Sequence, residues 1–146
     1  TAFSQRYFSY LAAASQLPVE TPDDMLIGRP DKEMNELIAE LTQRIGARET
    51  LPDAFYCAND YIAIMLIRAL TTQGISIPEQ VSIIGVDNNP VSALVSPQLC
   101  SLDIQCEQQA HYALRRMTEL LQDKTSEPVR LLIQPRLIPG ASVQHA

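Results

Sequence analysis

Short polar side chains that can hydrogen bond follow two apolar segments of the sequence. Asn59 and Asp60 come directly after the apolar run DAFYCA, and Asp87, Asn88 and Asn89 follow the β-branched run VSIIGV. A carboxylate accepts two or more hydrogen bonds from vicinal hydroxyl groups, whereas an amide both donates and accepts. These residue types therefore suit a small ligand that is rich in hydroxyl or N–H groups.

Arg6 is a third candidate, because a guanidinium group offers a rigid fork of hydrogen-bond donors to such a ligand. A purely structural explanation exists for the other residues. Asn59 or Asp60 is of a type that caps a following helix, and Asp87 could simply end a strand. Spacing alone leaves both interpretations open.

Residues suited to covalent catalysis are poorly placed in this sequence. His111 lies on a predicted helix and His145 within the last two residues, so that neither is positioned to activate Cys57 near its strand end. There is no Gly-rich phosphate loop, GxSxG elbow or HExxH motif. We therefore predict a protein that is not an enzyme and that uses no cofactor and no metal site.

Strand-like runs alternate with helical patterns along the chain. The predicted helices are Ser4–Ala14, Pro30–Gly46, Tyr61–Gln73 and Glu107–Leu121, and the predicted strands are Met25–Gly28, Asp53–Ala58, Val81–Val86, Leu99–Ile104, Val129–Gln134 and Arg136–Ile138. This alternation predicts an α/β fold, a Rossmann-like doubly wound parallel sheet with helices on both faces. Ligands bind beyond the C-terminal ends of the strands in such sheets, which is where Asn59 and Asp87 fall.

Charge and composition narrow the functional classes further. The net charge of −6, from 11 basic and 17 acidic residues, makes the chain a poor electrostatic partner for nucleic-acid phosphates. No apolar run approaches the roughly 18 residues that span a bilayer, and residues 1–10 lack the pattern of a secretion signal. The first residues already belong to an amphipathic pattern, which indicates a fragment of a longer protein.

Cys57, Cys100 and Cys106 form no CxxC pair, and we predict buried free thiols in a reducing cytoplasm.

Several ordered motifs between residues 53 and 143 resemble the LacI/GalR repressor family. The run DAFYCANDYIAIMLIRALTTQGISIP resembles that family's strand ending in AND, its alanine-rich helix and its Gly–Pro turn. The next run, EQVSIIGVDNNPVSALVSPQLCSL, resembles the following strand with its Gly-x-Asp end and the Pro-x-Leu-Thr-Thr passage. The run EPVRLLIQPRLIPGASV resembles the family's closing strands. Motifs in this order and at these separations are more specific than any one of them alone.

The resemblance implies a cytoplasmic transcription regulator with a core of the periplasmic-binding-protein-like type I. In that family a small effector, usually a sugar or purine, binds between two Rossmann-like subdomains and changes the geometry of a homodimer, and so its binding to operator DNA. Residues 1–146 would be an effector-binding core fragment, mostly the C-terminal subdomain, in which residues 105–122 cross to the N-terminal subdomain. The helix-turn-helix that contacts DNA would lie outside this chain.

The resemblance also implies which residues bind the effector. Arg6 stands where the family's SxxxR segment places an effector-binding arginine. Asn59 of the AND tripeptide and Asp87 of Gly-x-Asp stand where members often contact effector hydroxyls or ring nitrogens. A sugar is the expected effector, because Arg, Asn and Asp bind polyols and the acidic strand ends would repel a phosphate.

The sequence departs from the family pattern at three places. Ser9 replaces a frequent glycine, and Arg29-Pro30 stands where an aromatic residue often stacks on the ligand. Ile104 occupies the position of a common glutamine, with Gln105 one place later. These changes leave the class of effector open.

Two alternatives remain at this stage. The first is a periplasmic or extracellular sugar-binding protein of the same fold, which an upstream signal peptide would distinguish; the second is an enzyme or an unrelated doubly wound domain. The apolar residues of the helices at 4–14 and 61–73 exceed what one sheet face covers, and they favour a homodimer unless all of them face the chain's own sheet.

Overall fold

The computed structural model describes residues 2–20, 34–122 and 127–144. Within these ranges the helices are α1 (Ala2–Ala14), α2 (Met34–Gly46), α3 (Asp60–Thr72) and α4 (Cys106–Gln122), and the strands are β1 (Ala54–Tyr56), β2 (Ser82–Val86), β3 (Cys100–Asp103) and β4 (Arg136–Ile138). A short 3-10 turn covers Pro90–Ala93. The predicted strand Met25–Gly28, the start of the second helix and Arg29-Pro30 lie outside the described residues.

The described strands form one sheet in the order β1-β2-β3-β4. The first three strands are parallel, and β4 pairs antiparallel with β3. The predicted α/β class is therefore confirmed, with an antiparallel strand added at one edge. The side chains of Val81, Ile83 and Val86 are buried in and beside β2, as expected for a parallel strand with neighbours on both sides.

The main core lies between the sheet and the pair of helices α2 and α3. Its members come from both helices and two strands: Leu41, Ile45, Phe55, Ala63, Leu66, Leu70 and Ile83. Helix α3 begins beyond the cap Asn59 and ends before Gly74, whose φ of +75° suits a residue without a side chain. Burial of this apolar surface fixes α3 in the crossover between two parallel strands.

Helix α1 contacts the opposite face of β1. Successive side chains of a strand point to opposite faces, so that Phe55 enters the α2–α3 core while Tyr56 points away from it. Tyr56 stacks on Tyr10 of α1, with the ring centroids 5.6 Å apart and the planes within 2° of parallel. The helices thus lie on both sides of the sheet, as the sequence predicts.

Residues after β4 fasten the beginnings of β2 and β3. The fully buried Ser142 hydroxyl donates to the Ile83 carbonyl at 2.6 Å and accepts from the Cys100 amide at 2.8 Å. The Ile83 amide in turn donates to the Ser142 carbonyl at 2.7 Å. Gly140 passes so close to β3 that an added Cβ would lie 2.5 Å from the Cys100 nitrogen. This crossing requires a residue without a side chain.

The prediction of a strand at Val129–Gln134 is wrong. Residues 127–135 are described but adopt no regular structure, and β4 begins only after Pro135. A strand needs a neighbour to pair its backbone groups, and no other described strand lies beside this segment. Its apolar side chains are consequently open to solvent, with Leu132 82% exposed.

Helix α4 is amphipathic but has no buried residue. Its exposed large apolar residues are Leu114, Met117, Leu120 and Leu121, whose spacing places them on one side of the helix. The prediction that all cysteines are buried is also wrong for this helix, because Cys106 at its first position is exposed. Among the described helices, none has the length and apolar character required to cross a membrane.

Candidate functional site

Arg6 and Asp87 form an ion pair at the carboxyl ends of the parallel strands. Nη2 of Arg6 lies 2.8 Å from Oδ1 of Asp87, and Nη1 donates a hydrogen bond to the Ala58 carbonyl just beyond β1. The side chains are 26% and 35% exposed, respectively, so that solvent or a ligand reaches both. The structure therefore joins two of the three predicted residues into a donor–acceptor pair.

The backbone that carries Asp87 has an unusual conformation. Asp87 and the following Asn88 have φ values of 104° and 50°, which residues other than glycine seldom adopt. Such conformations cost on the order of 1–3 kcal/mol each and persist only where neighbouring groups fix them. Here the backbone N–H of Asp87 donates to the Leu102 carbonyl at 2.9 Å, and that of Asn88 to the Ser101 hydroxyl at 3.0 Å.

Asp60 is a buried residue that holds the loop after Asp87 by hydrogen bonds. The residue is 1% exposed, and its carboxylate accepts hydrogen bonds from the backbone N–H of Asn89 at 2.6 Å, the Ser92 hydroxyl at 2.8 Å and the Ser101 hydroxyl at 2.6 Å. An added Cβ on Gly85 would lie 2.2 Å from Oδ1 of Asp60. The glycine of the Gly-x-Asp motif thus makes room for the carboxylate.

Sequence reasoning missed this role of Asp60. It treated the residue as a possible helix cap or ligand contact, because only long-range contacts reveal that three donors converge on it. Gly85 is the one local sign of this contact, since a glycine inside a β-branched strand often marks a place where another group approaches the backbone closely.

Asn59 is the N-cap of α3, which confirms the structural explanation for its oxygen. Oδ1 accepts from the Ile62 amide at 2.9 Å. The side-chain nitrogen has no hydrogen-bond partner among the described residues and is left available. No hydrogen bond among those residues joins the Asn59 side chain to Arg6 or Asp87, but Asn59 follows Ala58, whose carbonyl Arg6 engages.

An aromatic surface borders the ion pair. The stacked rings of Tyr10 and Tyr56 are both partly exposed. Desolvation raises the pKa of the Tyr56 hydroxyl, while the charges of Arg6 and Asp87 lower and raise it, respectively, which places the ring within the field of both groups. The family pattern places a stacking aromatic residue where this chain has Arg29-Pro30, and the Tyr10–Tyr56 pair is not predicted from the sequence.

Gln105 belongs to a different part of the surface. It has a φ of 59°, donates from Nε2 to Asp103 Oδ2 at 2.9 Å and accepts from Gln108 at 2.7 Å. A cavity of about 600 Å³ lies beside it, between α4 and residues 131–136, and its lining includes none of Arg6, Asn59 and Asp87. Ligands of open α/β sheets bind outside the carboxyl ends of the parallel strands, and this rule favours the ion pair over the cavity as the ligand site.

The described residues assemble no reactive group at the ion pair. Burial raises the pKa of the Cys57 thiol to about 12, with a smaller contribution from the negative charge of Asp60, and this thiol is therefore not a nucleophile at neutral pH. The described part of the chain holds no group of three His, Cys, Asp or Glu side chains arranged to bind a metal ion. The arrangement can instead donate and accept hydrogen bonds to a neutral polar ligand.

Comparison with known proteins identifies the family of this chain. The model of the periplasmic binding protein-like domain family matches residues 2–143. The chain belongs to that family, as an effector-binding domain of the LacI/GalR regulator type.

Its relatives include transcriptional repressors named PurR. That of Pasteurella multocida is 29% identical over 145 residues, and that of Mannheimia succiniciproducens is 30% identical over 141 residues. These alignments cover 99% and 96% of this chain but 42% and 41% of the relatives. The chain thus spans about two fifths of the length of the curated relatives.

Solved structures show the same fold. A LacI-type transcription regulator from Bifidobacterium animalis subsp. lactis has a TM-score of 0.82 at 24% identity, covering 98% of this chain and 51% of that one. The regulator CcpA of Lactococcus lactis has a TM-score of 0.79 at 20% identity, covering 97% and 51%. The likeness extends over nearly the whole chain.

Proposed function

We propose that this chain is the small-molecule-sensing part of a LacI/GalR-type transcription regulator, and that its effector binds at Arg6, Asn59 and Asp87. The observation that carries the proposal is the partly exposed Arg6–Asp87 pair at the carboxyl ends of parallel strands. The unusual backbone of Asp87 supports it, because residues held in rare conformations cluster at ligand sites.

The open hydrogen-bonding capacity of the site favours a sugar. Oδ1 of Asp87 is engaged by Arg6, whereas Oδ2 receives no hydrogen bond from a described residue. One hydroxyl of a vicinal diol donates to that oxygen, and its neighbour accepts from the free side-chain nitrogen of Asn59. A regulator from Escherichia coli described as sugar-binding, 25% identical over 92% of this chain with a TM-score of 0.75, supports the same class.

A purine is the second candidate. A ring N–H donates to the Asp87 carboxylate as a hydroxyl does, and the exposed ring surface of Tyr56 is suited to a planar ligand. The PurR repressors among the relatives keep this class in consideration. A periplasmic sugar-binding protein is less well supported, because these relatives are transcription regulators.

The response to the effector would pass to segments outside this chain. In our proposal the regulator acts in the cytoplasm as a homodimer, and operator DNA contacts a helix-turn-helix that is not among these 146 residues. Residues 105–122 cross to an N-terminal subdomain, which accounts for the apolar side of α4 that the described residues leave exposed. Effector binding between the subdomains would change the dimer and so its affinity for the operator.

A thermal-shift screen tests the proposal. Protein expressed from the complete reading frame is heated with monosaccharides, disaccharides, nucleosides and purine bases, because a ligand that binds the native state raises the midpoint by mass action. At a concentration 100-fold above the dissociation constant, the gain is about 2.7 kcal/mol. Asp87→Ala should abolish the shift, while Asp53→Ala, an exposed aspartate before β1, should retain it.

The outcome also identifies the effector class. A compound that stabilises the wild-type protein and the Asp53 variant but not the Asp87 variant establishes the site. If no compound in any of the four classes shifts the midpoint, or if the Asp87 variant responds like the wild type, the proposed site is wrong.

A further inference from the structure

We propose that Asp60 is the positioning residue of the effector site: with Ser101 it holds residues 87–89 in the one conformation that presents Asp87 to Arg6. The inference rests on the proposed function for its biological meaning. Its evidence is a chain of hydrogen bonds that leads from a buried carboxylate to the backbone next to Asp87 of the partly exposed ion pair.

The first step is the state of Asp60 itself. Among the described residues its carboxylate has no cationic partner, yet it is 1% exposed. Burial of a carboxylate is costly unless its oxygens are satisfied, and here three donors converge on them. Asp60 is also the first residue of α3, where the positive end of the helix dipole stabilises a negative charge. The Asp60 carboxylate is therefore a buried hydrogen-bond acceptor with a fixed position.

The second step is the route from this acceptor to the loop. One oxygen of Asp60 takes the Asn89 amide directly at 2.6 Å. The other accepts a hydrogen bond from the Ser101 hydroxyl at 2.6 Å, and this orients a lone pair of Ser101 toward the backbone N–H of Asn88 at 3.0 Å. Two successive backbone N–H groups after Asp87 are thus bound, that of Asn89 by Asp60 directly and that of Asn88 by Ser101, which Asp60 orients.

The third step is the effect on Asp87. Its own amide is bound to the Leu102 carbonyl, so that the backbone is held both at and after the residue. Without the two later bonds, the positive φ of Asn88 has no support from Asp60, and the chain is free to return to a common conformation. The direction of the Asp87 carboxylate, and with it the 2.8 Å contact to Arg6, depends on this loop.

Ser92 offers a matched control. Like Ser101, it is buried and donates its hydroxyl to Asp60, at 2.8 Å. Its hydroxyl makes no hydrogen bond to the backbone of residues 87–89. Ser101→Ala and Ser92→Ala therefore remove equivalent donors from Asp60, but only the first removes the link to Asn88.

The experiment measures amide hydrogen exchange and the Arg6 side-chain Nε–Hε resonance by NMR, without added ligand. In Ser101→Ala the Asn88 amide should exchange about tenfold faster, the factor that corresponds to a net hydrogen bond of ordinary strength. The Arg6 resonance should move toward its position in Asp87→Asn. In Ser92→Ala both should stay as in the wild type. Asp60→Ala should release the amides of both Asn88 and Asn89.

Three results overturn the proposal: an Asn88 amide that stays protected in Ser101→Ala, an Arg6 resonance that does not move in that variant, or equal changes in Ser92→Ala. The last result would mean that Asp60 serves stability alone. If Asp60→Ala does not fold, the two serine variants still decide the question. Because no effector is added, failure of the ligand screen leaves this test unaffected.

Discussion

Gly85 and Asp60 lie so close that no side chain fits between them. A Cβ at position 85 would stand 2.2 Å from Oδ1 of Asp60 and 2.9 Å from a methyl carbon of Leu99. Asp60 also binds the loop that carries Asp87. A methyl group at position 85 would therefore displace Asp60 and, through this loop, disturb the Arg6–Asp87 ion pair. This relationship leads to the first prediction.

Gly85→Ala should lower the free energy of unfolding by about 1–3 kcal/mol, the usual cost of overpacking a close-packed position. Gly74→Ala is the control, because no atom lies within 4 Å of its added Cβ and only the positive φ of +75° opposes the change. That variant should lose about 1 kcal/mol. Urea unfolding followed by circular dichroism measures both. A Gly85 variant as stable as the wild type would contradict the packing of Asp60 against β2.

Ser142→Ala should destabilise the fold because it leaves the Ile83 carbonyl and the Cys100 amide without their side-chain partner. The expected loss is about 1–3 kcal/mol, the cost of buried polar groups left unsatisfied. Ser15→Ala removes an exposed hydroxyl bond to the Ala12 carbonyl and should stay within about 0.5 kcal/mol of the wild type. The same urea titration compares them, and equal losses would refute the role of Ser142.

The Arg6–Asp87 pair should contribute little to stability. With side chains about a quarter and a third exposed, solvent screens the attraction, and a double-mutant cycle of Arg6→Gln and Asp87→Asn should give a coupling of about 0.2–1 kcal/mol. The coupling should fall further in high salt. A much larger value would show that the pair is a structural link, which would weaken its assignment as a ligand site.

The thiols should differ sharply in reactivity. Cys57 and Cys100 are buried with pKa values raised by desolvation, whereas Cys106 is exposed. Since the thiolate is the reactive form, one thiol should react quickly with Ellman's reagent at pH 8 in the native protein, and all three after denaturation. Cys106→Ala should remove the fast phase. A fast phase that persists in this variant would place Cys57 or Cys100 at the surface.

Alkaline pH should destabilise the protein through Cys57. Its pKa is raised in the fold from 9.0 to about 12, so that its contribution to stability is complete below pH 9 and is lost as the pH rises toward 12. Over that interval ionisation of this thiol in the unfolded state should lower the free energy of unfolding steadily as the pH rises. Tyr56, whose pKa is also raised, acts in the same direction. Urea titrations at successive pH values should show a shallower slope for Cys57→Ala and an unchanged slope for Cys106→Ala.

The sequence predicts most of the fold because its local signals are strong. The caps and apolar periodicity of α3 and the β-branched run of β2 place both elements to within one or two residues. The antiparallel pairing of β4 and the irregular backbone at 129–134 escape prediction, since pairing depends on which strands are present as neighbours. The periodicity of apolar residues along the sequence does not show which strands will be neighbours.

The site is predicted less completely than the fold. The family resemblance singles out Arg6 on the first helix, and the position after a predicted strand singles out Asp87. Neither predicts their contact, which spans 81 positions in the sequence. The helix-capping role of Asn59 is a local property, and the sequence offers it as an alternative. The function of Asp60 depends on Ser92 and Ser101, which lie 32 and 41 positions away and carry no motif of their own.

The position of Ser142 has a consequence for the order in which the protein is made. Its hydroxyl satisfies backbone groups of Ile83 and Cys100, which leave the ribosome 59 and 42 residues earlier. During translation these two backbone groups lack their hydrogen bonds to Ser142 until α4 and β4 have also been synthesised. Contacts of such long sequence separation form slowly, because the intervening chain must first be ordered. The contacts at the beginnings of β2 and β3 are thus completed only after every described strand has been synthesised.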